Sequence, residues 1–397
     1  MDCATSRVLG NGWPVLLALV VFGCEKEVDR PFPSHVAMVT QPKPDRGFDL
    51  YVEAAKATEE DISKQITRTM WTPGQKDYAI QYSSRPLEIL RQAQSGSVTF
   101  AFTAQPPGNL RESVRGWRFL GRILEWKVED AIAAEDYSKA TDAFLMAARM
   151  APDLAGGDAT DAGLGFEIAM QAAKPYWQAL DKMPPAELSR TCSRLQSILA
   201  AMPEAKITLR HERETMAMAI QWVQDKYTSG DFDAIRKSLG SYVEPTIKFM
   251  RRLKSEGTSK QVEFFEGLDH DADDELTALL KQAMRPFKER DRSKDSDGPW
   301  RRLSNSFFHG GEAYLSQKAQ FESQMRLLAI DAMILQESRK SGSAPASLPS
   351  MPKWLRTDPY SGGDFVYEAE GPNYKLYGVG PDGRDDGGGA EDIGVLR

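Results

Sequence analysis

Apolar residues recur at helical spacing along most of this chain, and this periodicity constrains the fold more than any other feature. From Phe48 to about residue 340 an apolar side chain returns every three or four residues, which is the period of one face of an α-helix. Strand-like alternation is scarce there, and residues 97–102 are its best example. Prolines and glycines interrupt the pattern at intervals typical of helix lengths. The sequence therefore predicts a mainly α fold.

One helical hairpin is better defined than the others. Leu120, Ile123 and Leu124 share a face of the segment 117–134, and a second apolar face follows over 140–148. Because the break between these segments is short, the two helices should pack as antiparallel neighbours. The pair resembles a tetratricopeptide (TPR) unit locally, but a clean recurrence of about 34 residues is missing. We therefore expect a multi-helix antiparallel body with TPR-like hairpins and not a repeat array.

The remaining helices are predicted from the same periodicity over 160–182, 185–201, 205–228, 231–255, 274–288 and 309–339. In the last of these, Phe321, Met325, Leu328, Ala332 and Leu335 form a regular apolar row for packing on another helix.

Two polar features of the helical region are interpreted as solvated surface. His211-Glu212 begins like a zincin motif, but the second histidine of that motif is absent because residue 215 is Thr. Residues 263–274 form an acidic cluster around His270. This cluster is interpreted as an exposed helix-capping loop, with metal binding as the less favoured alternative.

The composition changes sharply after Lys340, where a run of Ser, Gly, Ala and Pro over 341–345 ends the helical pattern. Residues 365–368 are then typical of a β-strand, and apolar and polar side chains alternate over 374–379. Gly371-Pro372-Asn373 between these segments is a turn sequence. The pattern predicts a small β-hairpin module that follows the last long helix.

The C-terminal residues resemble those of type II secretion major pseudopilins, in which a long helix precedes a short hairpin and a glycine-rich loop. The residues that carry the resemblance occur in the same order: Asp358-Pro359-Tyr360, Tyr367, Tyr377, Gly380, Asp382-Gly383 and Asp392-Ile393. Pilin-type proteins open with a hydrophobic helix, whereas the helix before this module has polar faces. The resemblance therefore implies a structural module and not assembly into a pilus.

In major pseudopilins the last loop binds calcium, so the resemblance also implies a structural Ca²⁺ site. Asp382 and Asp392 match the two ends of that loop, and Asp385 and Asp386 lie between them. Calcium takes six to eight oxygen ligands, and glycines let backbone carbonyls turn toward the ion. An EF-hand is excluded because Arg384 occupies a ligand position of that motif. A solvated acidic turn remains the alternative.

A short apolar segment lies near the N-terminus, at residues 15–22. A transmembrane helix needs about 20 apolar residues, so this segment fits the h-region of a removable signal peptide. Val21-Phe22-Gly23-Cys24 resembles the lipobox of bacterial lipoproteins, whose cysteine is acylated and becomes the first mature residue. The resemblance implies export and a membrane anchor through a lipid on Cys24. A plain secretory signal and an uncleaved buried segment are the alternatives.

These features divide the chain into four parts: a signal peptide (1–23), a disordered tether with widely spaced prolines (24–46), a helical domain (47–308), and a long helix with the hairpin module (309–397). Cys3 falls in the signal and Cys24 carries the lipid, so Cys192 remains alone in a helical segment. It is interpreted as a small, partly buried residue and not as a reactive thiol.

Charge and motif content limit the function classes. A net charge of −7 offers no electrostatic footprint for nucleic acid. The sequence contains no Gly-x-Ser-x-Gly elbow, phosphate loop or dinucleotide fingerprint. The order of segments 84–93 and 117–149 and a C-terminal helix resembles exported helical proteins of planctomycete-type bacteria, which implies no activity.

We predict a non-catalytic, lipid-anchored protein of the bacterial cell envelope, on the periplasmic side or in the outer membrane. Its helical surface would act as a scaffold or bind a protein partner. Two alternatives stay open: a secretion-system component that binds pilin-like partners, and a hydrolase with an unrecognised site.

Overall fold

Helices make up most of the structure, as the apolar periodicity predicts. The computed structural model describes residues 45–62, 72–107, 111–240, 243–290, 299–389 and 392–396, and these residues belong to one compact unit. They form a mainly helical body with a small three-stranded antiparallel sheet near the C-terminus, which confirms the predicted fold class. The predicted signal peptide, the lipobox at Cys24 and most of the tether lie outside the described residues.

The helices of the first part are α1 (Arg46–Asp61), α2 (Pro73–Tyr82), α3 (Ser84–Ala93), α4 (Glu112–Ala133), α5 (Tyr137–Leu154), α6 (Ala159–Gln178), α7 (Pro185–Ala200) and α8 (Ala205–Ser229). They are followed by α9 (Phe232–Leu239), α10 (Glu244–Leu253), α11 (Thr258–Ala283), α12 (Pro299–Ser341) and α13 (Lys353–Arg356). The strands are β1 (Val366–Glu370), β2 (Asn373–Gly378) and β3 (Ile393–Leu396).

The predicted hairpin is present as α4 and α5, which pack against each other. The joint between them turns at Glu135, whose φ of 56° is left-handed. Asp136 then caps α5, because its side chain accepts a hydrogen bond from the backbone N–H of Lys139 at 3.1 Å. α6 packs on both helices of this hairpin. Three successive helices therefore form the antiparallel centre of the body.

Buried polar contacts fasten α1 to this centre. The indole Nε1 of Trp117 donates to the carbonyl oxygen of Tyr51 at 2.9 Å. The Tyr51 hydroxyl in turn donates to Asp153 Oδ2 at 2.7 Å, and Arg149 Nε donates to Asp153 Oδ1 at 3.0 Å. Since Tyr51 and Trp117 are fully buried, these hydrogen bonds satisfy groups that would otherwise be desolvated without a partner.

Two helix predictions in the second half are wrong. The segment predicted as one helix over 231–255 is divided into α9 and α10, because the chain leaves the helical conformation at Gly240, where φ is 89°. The acidic cluster at 263–274 is not a loop but lies inside α11, which buries Phe264, Phe265 and Leu268. Asp269 and Asp273 of this cluster form ion pairs with a buried arginine of α8, Arg213, so part of the cluster has a structural role.

The long helix α12 contacts more of the fold than any other element described. It has 43 residues, which at 1.5 Å per residue is about 65 Å. It packs on α6, α7, α8, α10 and α11 and also contacts β2 and β3. The predicted apolar row faces the core: Phe321, Met325, Leu328 and Ala332 are fully buried, and Leu335 is partly buried. The predicted boundary between residues 308 and 309 falls inside this helix.

The C-terminal sheet contains the predicted hairpin and one strand more. β1 and β2 pair in register from Val366 opposite Tyr377 to Glu370 opposite Asn373, and Gly371 in the connecting turn has a left-handed φ of 66°. β3 pairs antiparallel with β2 and was not predicted. The early strand candidate at 97–102 is also wrong, because these residues have no regular secondary structure and do not belong to the described sheet.

A buried aspartate positions the turn that precedes the sheet. Asp358 is fully buried, and its carboxylate accepts hydrogen bonds from the backbone N–H groups of Tyr360 at 3.0 Å and Ser361 at 3.2 Å. The Ser323 hydroxyl of α12 donates to the same carboxylate at 3.3 Å. The Asp358-Pro359-Tyr360 turn is therefore fastened directly to the long helix.

Alanine substitutions at two helical glycines test how closely α4 packs against α1. A Cβ at Gly116 in α4 would lie 2.4 Å from the backbone oxygen of Ala55 in α1, whereas a Cβ at Gly267 in α11 would meet nothing within 4 Å. We expect Gly116→Ala to lower the free energy of unfolding by roughly 1–3 kcal/mol, because the two backbones must separate. Gly267→Ala should instead raise it by roughly 0.5–1 kcal/mol. Urea unfolding of both variants measures this, and equal stabilities would contradict the close α1–α4 contact.

Candidate functional site

The four predicted carboxylates of the C-terminal loop have different surroundings. Asp392 Oδ2 accepts hydrogen bonds from the backbone N–H groups of Asp386 at 3.1 Å, Gly388 at 2.8 Å and Gly389 at 3.2 Å. Its other oxygen, Oδ1, is buried and has no hydrogen-bond partner among the described residues. The loop backbone therefore provides hydrogen bonds to one of the two carboxylate oxygens of Asp392.

The other three aspartates of the loop lie at its surface. Asp385 Oδ1 accepts a hydrogen bond from the Tyr377 hydroxyl at 3.0 Å, and burial together with this carboxylate raises the pKa of Tyr377 to about 12. Asp382 accepts from the backbone N–H of Arg384 at 3.0 Å, and Asp386 is exposed. Within the described residues no three Asp, Glu, His or Cys side chains are arranged to hold a metal ion.

A second polar cluster, at the start of α6, was missed by the sequence analysis. Asp158 caps the helix by accepting from the backbone N–H groups of Thr160 and Asp161, each at 3.0 Å. Glu212 of α8 reaches the same helix end, where its Oε2 accepts from the Ala159 N–H at 3.1 Å. Both carboxylates therefore satisfy N–H groups that have no partner within the helix.

Arg111 and His211 connect this cluster to Phe102. Arg111 Nη2 donates to Asp161 Oδ2 at 3.1 Å, and its guanidinium lies over the ring of Phe102 at 5.5 Å. The imidazole of His211 stacks on the ring of Phe102, with ring centroids 4.4 Å apart. Its Nδ1 lies 2.9 Å from the carbonyl oxygen of Gly156. Residues 97–107, the loop before α6 and the start of α8 are thereby held together.

Burial changes the protonation of two carboxyls in this cluster. Burial and the nearby Asp158 charge raise the pKa of Asp161 to about 7, although Arg111 opposes the shift. Burial and Asp158 likewise raise the pKa of Glu212 to about 8. Such pKa values suit proton transfer at neutral pH. However, Asp161 and Glu212 are only 2% and 6% exposed, which leaves almost no surface for a substrate, so the cluster is better explained as a pH-sensitive structural joint.

The sequence interpretation of His211-Glu212 as a solvated helix face is therefore wrong. His211 is partly buried and Glu212 is buried, because α8 turns this face toward α6 and not toward water. A local signal did exist in Asp158-Ala159-Thr160-Asp161, which has the residue types of a helix N-terminus. Nothing local indicated that the glutamate of a different helix would meet it.

A groove of about 570 Å³ lies where α6, α12 and β3 meet. Met170 and Trp177 of α6 supply its apolar wall, Gln320 and Gln324 of α12 supply amides, and Gly394 of β3 forms the remaining edge. We call this the α6–α12 groove.

The wall of the α6–α12 groove is positioned by a buried carboxylate. Trp177 Nε1 donates to Asp331 Oδ2 of α12 at 2.6 Å, and the hydroxyl of Tyr374 in β2 donates to Asp331 Oδ1. One aspartate, itself fully buried, therefore connects α6, α12 and the sheet, which together surround the groove.

The remaining features concern the lone cysteine, two tryptophans and the membrane-spanning potential of the helices. Cys192 is buried and unpaired, and burial raises the pKa of its thiol, which agrees with an inert structural residue. Trp117 and Trp126 are buried in the core. No helix in the described ranges has the length and apolar content needed to cross a membrane.

Comparison of the chain with protein-family models, with curated proteins and with solved structures gives no match.

The buried carboxyls predict a pH-dependent stability. In the unfolded chain Asp and Glu titrate near pH 4, whereas the folded protein keeps protons on Asp161 and Glu212 up to about pH 7 and 8. Between about pH 4 and pH 7 to 8 the folded state therefore binds more protons than the unfolded chain. The stability that these two groups contribute falls as the pH rises through this range, and it is lost above the folded-state pKa values. We expect the free energy of unfolding to be lower at pH 9 than at pH 5.5, by on the order of a few kcal/mol.

Glu212→Gln isolates the contribution of one carboxyl. Gln keeps an acceptor for the Ala159 N–H but never ionises, so this variant should lose part of the pH dependence and exceed the wild type in stability at pH 9. The matched control is Glu53→Gln, at an exposed position of α1. Denaturant unfolding at both pH values measures the effect. An unchanged pH dependence in Glu212→Gln would contradict the raised pKa.

Proposed function

We propose that this protein is an exported scaffold of the bacterial cell envelope, anchored to a membrane through a lipid on Cys24, and that it binds an extended segment of a protein partner in the α6–α12 groove. The observation that carries the binding role is the position of β3. This strand is at the edge of the described sheet, next to β2 only, and its Gly394 borders the groove. Edge strands present unpaired N–H and C=O groups that can pair with an added strand.

The lining of the groove suits a polypeptide backbone. Gln320 and Gln324 each offer an amide donor and an amide acceptor, which is what an extended peptide needs along its length. Met170 and Trp177 can cover apolar side chains of the same segment. A Cβ at Gly394 would meet Leu376 and Tyr377 of β2, so a glycine at this position lets β3 pair closely with β2 at the edge of the groove. The groove therefore supports recognition of a strand-like segment better than recognition of a small polar metabolite.

A second candidate function shares this surface. The resemblance to major pseudopilins falls on residues 341–397, and β3 belongs to that segment. A secretion-associated role, in which the partner is itself pilin-like, would use the same strand edge. The two candidates differ in the identity of the partner and not in the site.

We also propose that the C-terminal loop binds Ca²⁺ as a structural ion. The support is the buried oxygen Asp392 Oδ1, which has no partner among the described residues, next to Asp382 and Asp386 on the same glycine-rich loop. Because the described carboxylates are not grouped around a common point, binding requires these two side chains to move toward Asp392. Backbone carbonyls of the loop would complete the six to eight oxygens that calcium needs. Asp385 would remain with Tyr377.

Calcium should therefore stabilise the folded protein. Adding Ca²⁺ at 100 times its dissociation constant should raise the free energy of unfolding by about 2.7 kcal/mol, because only the folded chain binds the ion. Asp392→Asn should abolish this gain, whereas Asp364→Asn, an exposed change in the same module, should keep it. Thermal unfolding with Ca²⁺ and with EDTA measures the effect. Identical melting temperatures, with no metal in the purified protein, would refute the calcium proposal.

The partner-binding role predicts position-specific cross-linking. A photo-reactive amino acid in place of Gln324 should cross-link, in the producing cell, to one segment of an envelope protein. The same substitution at Gln81, an exposed position of α2 that is not part of the groove lining, should give no such product. A synthetic peptide of the cross-linked segment should bind the purified chain, and Gln324→Arg should weaken its affinity by about tenfold, since a long cation replaces an amide in the groove.

The identity of the cross-linked protein distinguishes the two candidate functions. An ordinary envelope protein as the partner supports the scaffold, whereas a pilin-like partner supports the secretion-associated role. Cross-links of equal yield from positions 81 and 324, or a peptide whose affinity is unchanged by Gln324→Arg, would refute binding in the α6–α12 groove.

A further inference from the structure

One outer surface of the fold is basic, although the chain as a whole is acidic. The chain has a net charge of −7, but residues 231–260 contain seven Lys and Arg residues against four Asp and Glu residues. This segment forms α9, α10 and the start of α11. The local excess of positive charge therefore belongs to two short helices and the joint that follows them.

The acidic residues of this segment are engaged with cations outside α10. They form ion pairs of 2.7–3.5 Å: Asp231 with Lys226, Asp233 and Glu244 with Arg236, and Glu256 with Lys260. The other basic residues of the segment form no ion pair within the described part of the chain: Lys237, Lys248, Arg251, Arg252 and Lys254. The four carboxylates therefore leave most of the positive charge of this surface unbalanced.

The helix α10 places its cations on one side. Lys248, Arg251 and Arg252 are three and four residues apart, so they share a face of the helix, and all three are exposed. The opposite face is buried against the fold: Thr246, Ile247, Met250 and Leu253. This amphipathic helix therefore turns its basic side toward solvent.

An aromatic ring of α9 brings a further cation to the same surface. The guanidinium of Arg251 lies 5.3 Å from the ring centroid of Phe232, and Lys254 Nζ lies 5.9 Å from that centroid. Lys254 Nζ also donates to the carbonyl oxygen of Thr228 at 3.2 Å. A ring and a carbonyl hold these cations but do not cancel their charge. We call the surface formed by four side chains the basic patch: Lys248, Arg251, Arg252 and Lys254.

The form of the basic patch indicates the kind of anion that it fits. The exposed side of a helix is convex, so it cannot enclose a small anion, but it can face an extended anionic surface. Basic residues on an amphipathic helix are attracted by the anionic headgroups of a membrane. Because the apolar face of α10 is already covered by the fold, the attraction here is electrostatic and needs no insertion into the bilayer.

We propose that the basic patch binds the anionic lipid surface of a membrane. This contact orients the folded body relative to the membrane, and only that orienting role rests on the proposed lipid anchor. The basic patch shares no residue with the lining of the α6–α12 groove, so a partner can occupy the groove while α10 faces the lipid.

Vesicle flotation of the full chain carrying Cys24→Ser tests this proposal without a lipid on the protein. Vesicles of phosphatidylcholine and phosphatidylglycerol in equal parts should bind the chain, and vesicles of phosphatidylcholine alone should bind it more weakly. The added changes Lys248→Gln and Arg252→Gln should weaken binding to the anionic vesicles about thirtyfold, which is about 1 kcal/mol for each charge. Both side chains are exposed, so the fold should be unaffected.

The matched control carries Lys56→Gln and Arg118→Gln, at exposed positions of α1 and α4. It has the same net charge as the patch variant and should bind anionic vesicles as the unchanged chain does. Raising the salt concentration should weaken binding, because ions screen exposed charges.

The proposal is overturned if neutral and anionic vesicles bind equally, if the patch variant binds as tightly as the unchanged chain, or if the control loses as much affinity. Duplex DNA that binds through Lys248 and Arg252, where vesicles do not bind, would overturn it by assigning the basic patch to nucleic acid. Since every chain in this comparison lacks Cys24, a negative result refutes the basic patch and leaves the lipid anchor and the α6–α12 groove untouched.

Discussion

The carboxylate of Asp331, buried in the middle of α12, connects the parts of this protein that matter for its proposed function. A buried charge is tolerated only when hydrogen bonds replace the water that it loses. Here the donors include the indole of Trp177 in α6 and the hydroxyl of Tyr374 in β2. The same interaction therefore sets the distance between α6 and α12 and seats the sheet on α12. Those are the three elements that surround the α6–α12 groove.

Other junctions of the fold follow the same pattern. Glu212 joins α8 to the start of α6, Arg213 joins α8 to α11, and Asp358 joins the turn before the sheet to α12. Each is a buried ionisable group with at least one partner from a different element. Apolar rows give the helices their affinity for one another, whereas these polar contacts select one arrangement of the helices. Loss of a partner at such a junction is costly because the remaining group stays buried and unpaired.

The parts of the fold that could be predicted are those that a local pattern determines. The α4–α5 hairpin and the buried face of α12 follow from apolar spacing, and the β1–β2 hairpin follows from alternation around a glycine turn. The first half of α11 was missed because its acidic residues resemble a loop, although Phe264, Phe265 and Leu268 are buried. β3 was missed because four residues are too few to show a pattern.

The candidate sites were less predictable than the fold, for a physical reason. Glu212 and Asp331 look like ordinary surface residues of a helix, since burial of a charge depends on which element comes to face it. The groove and the junctions are products of tertiary packing between segments far apart in sequence, such as Trp177 and Asp331. The loop aspartates could be named from the sequence through the resemblance to pseudopilins, but their different surroundings could not.

Anchoring at the membrane is the premise of a scaffold role, and it rests on the residues around Cys24. Mass spectrometry of the N-terminal peptide, from protein purified out of the membrane fraction of the producing bacterium, tests it directly. The expected peptide begins at Cys24 and is heavier by a diacylglyceryl group with or without a further acyl chain. A peptide that spans the Gly23–Cys24 bond, or one that begins elsewhere or carries an unmodified Cys24, would contradict the lipid anchor.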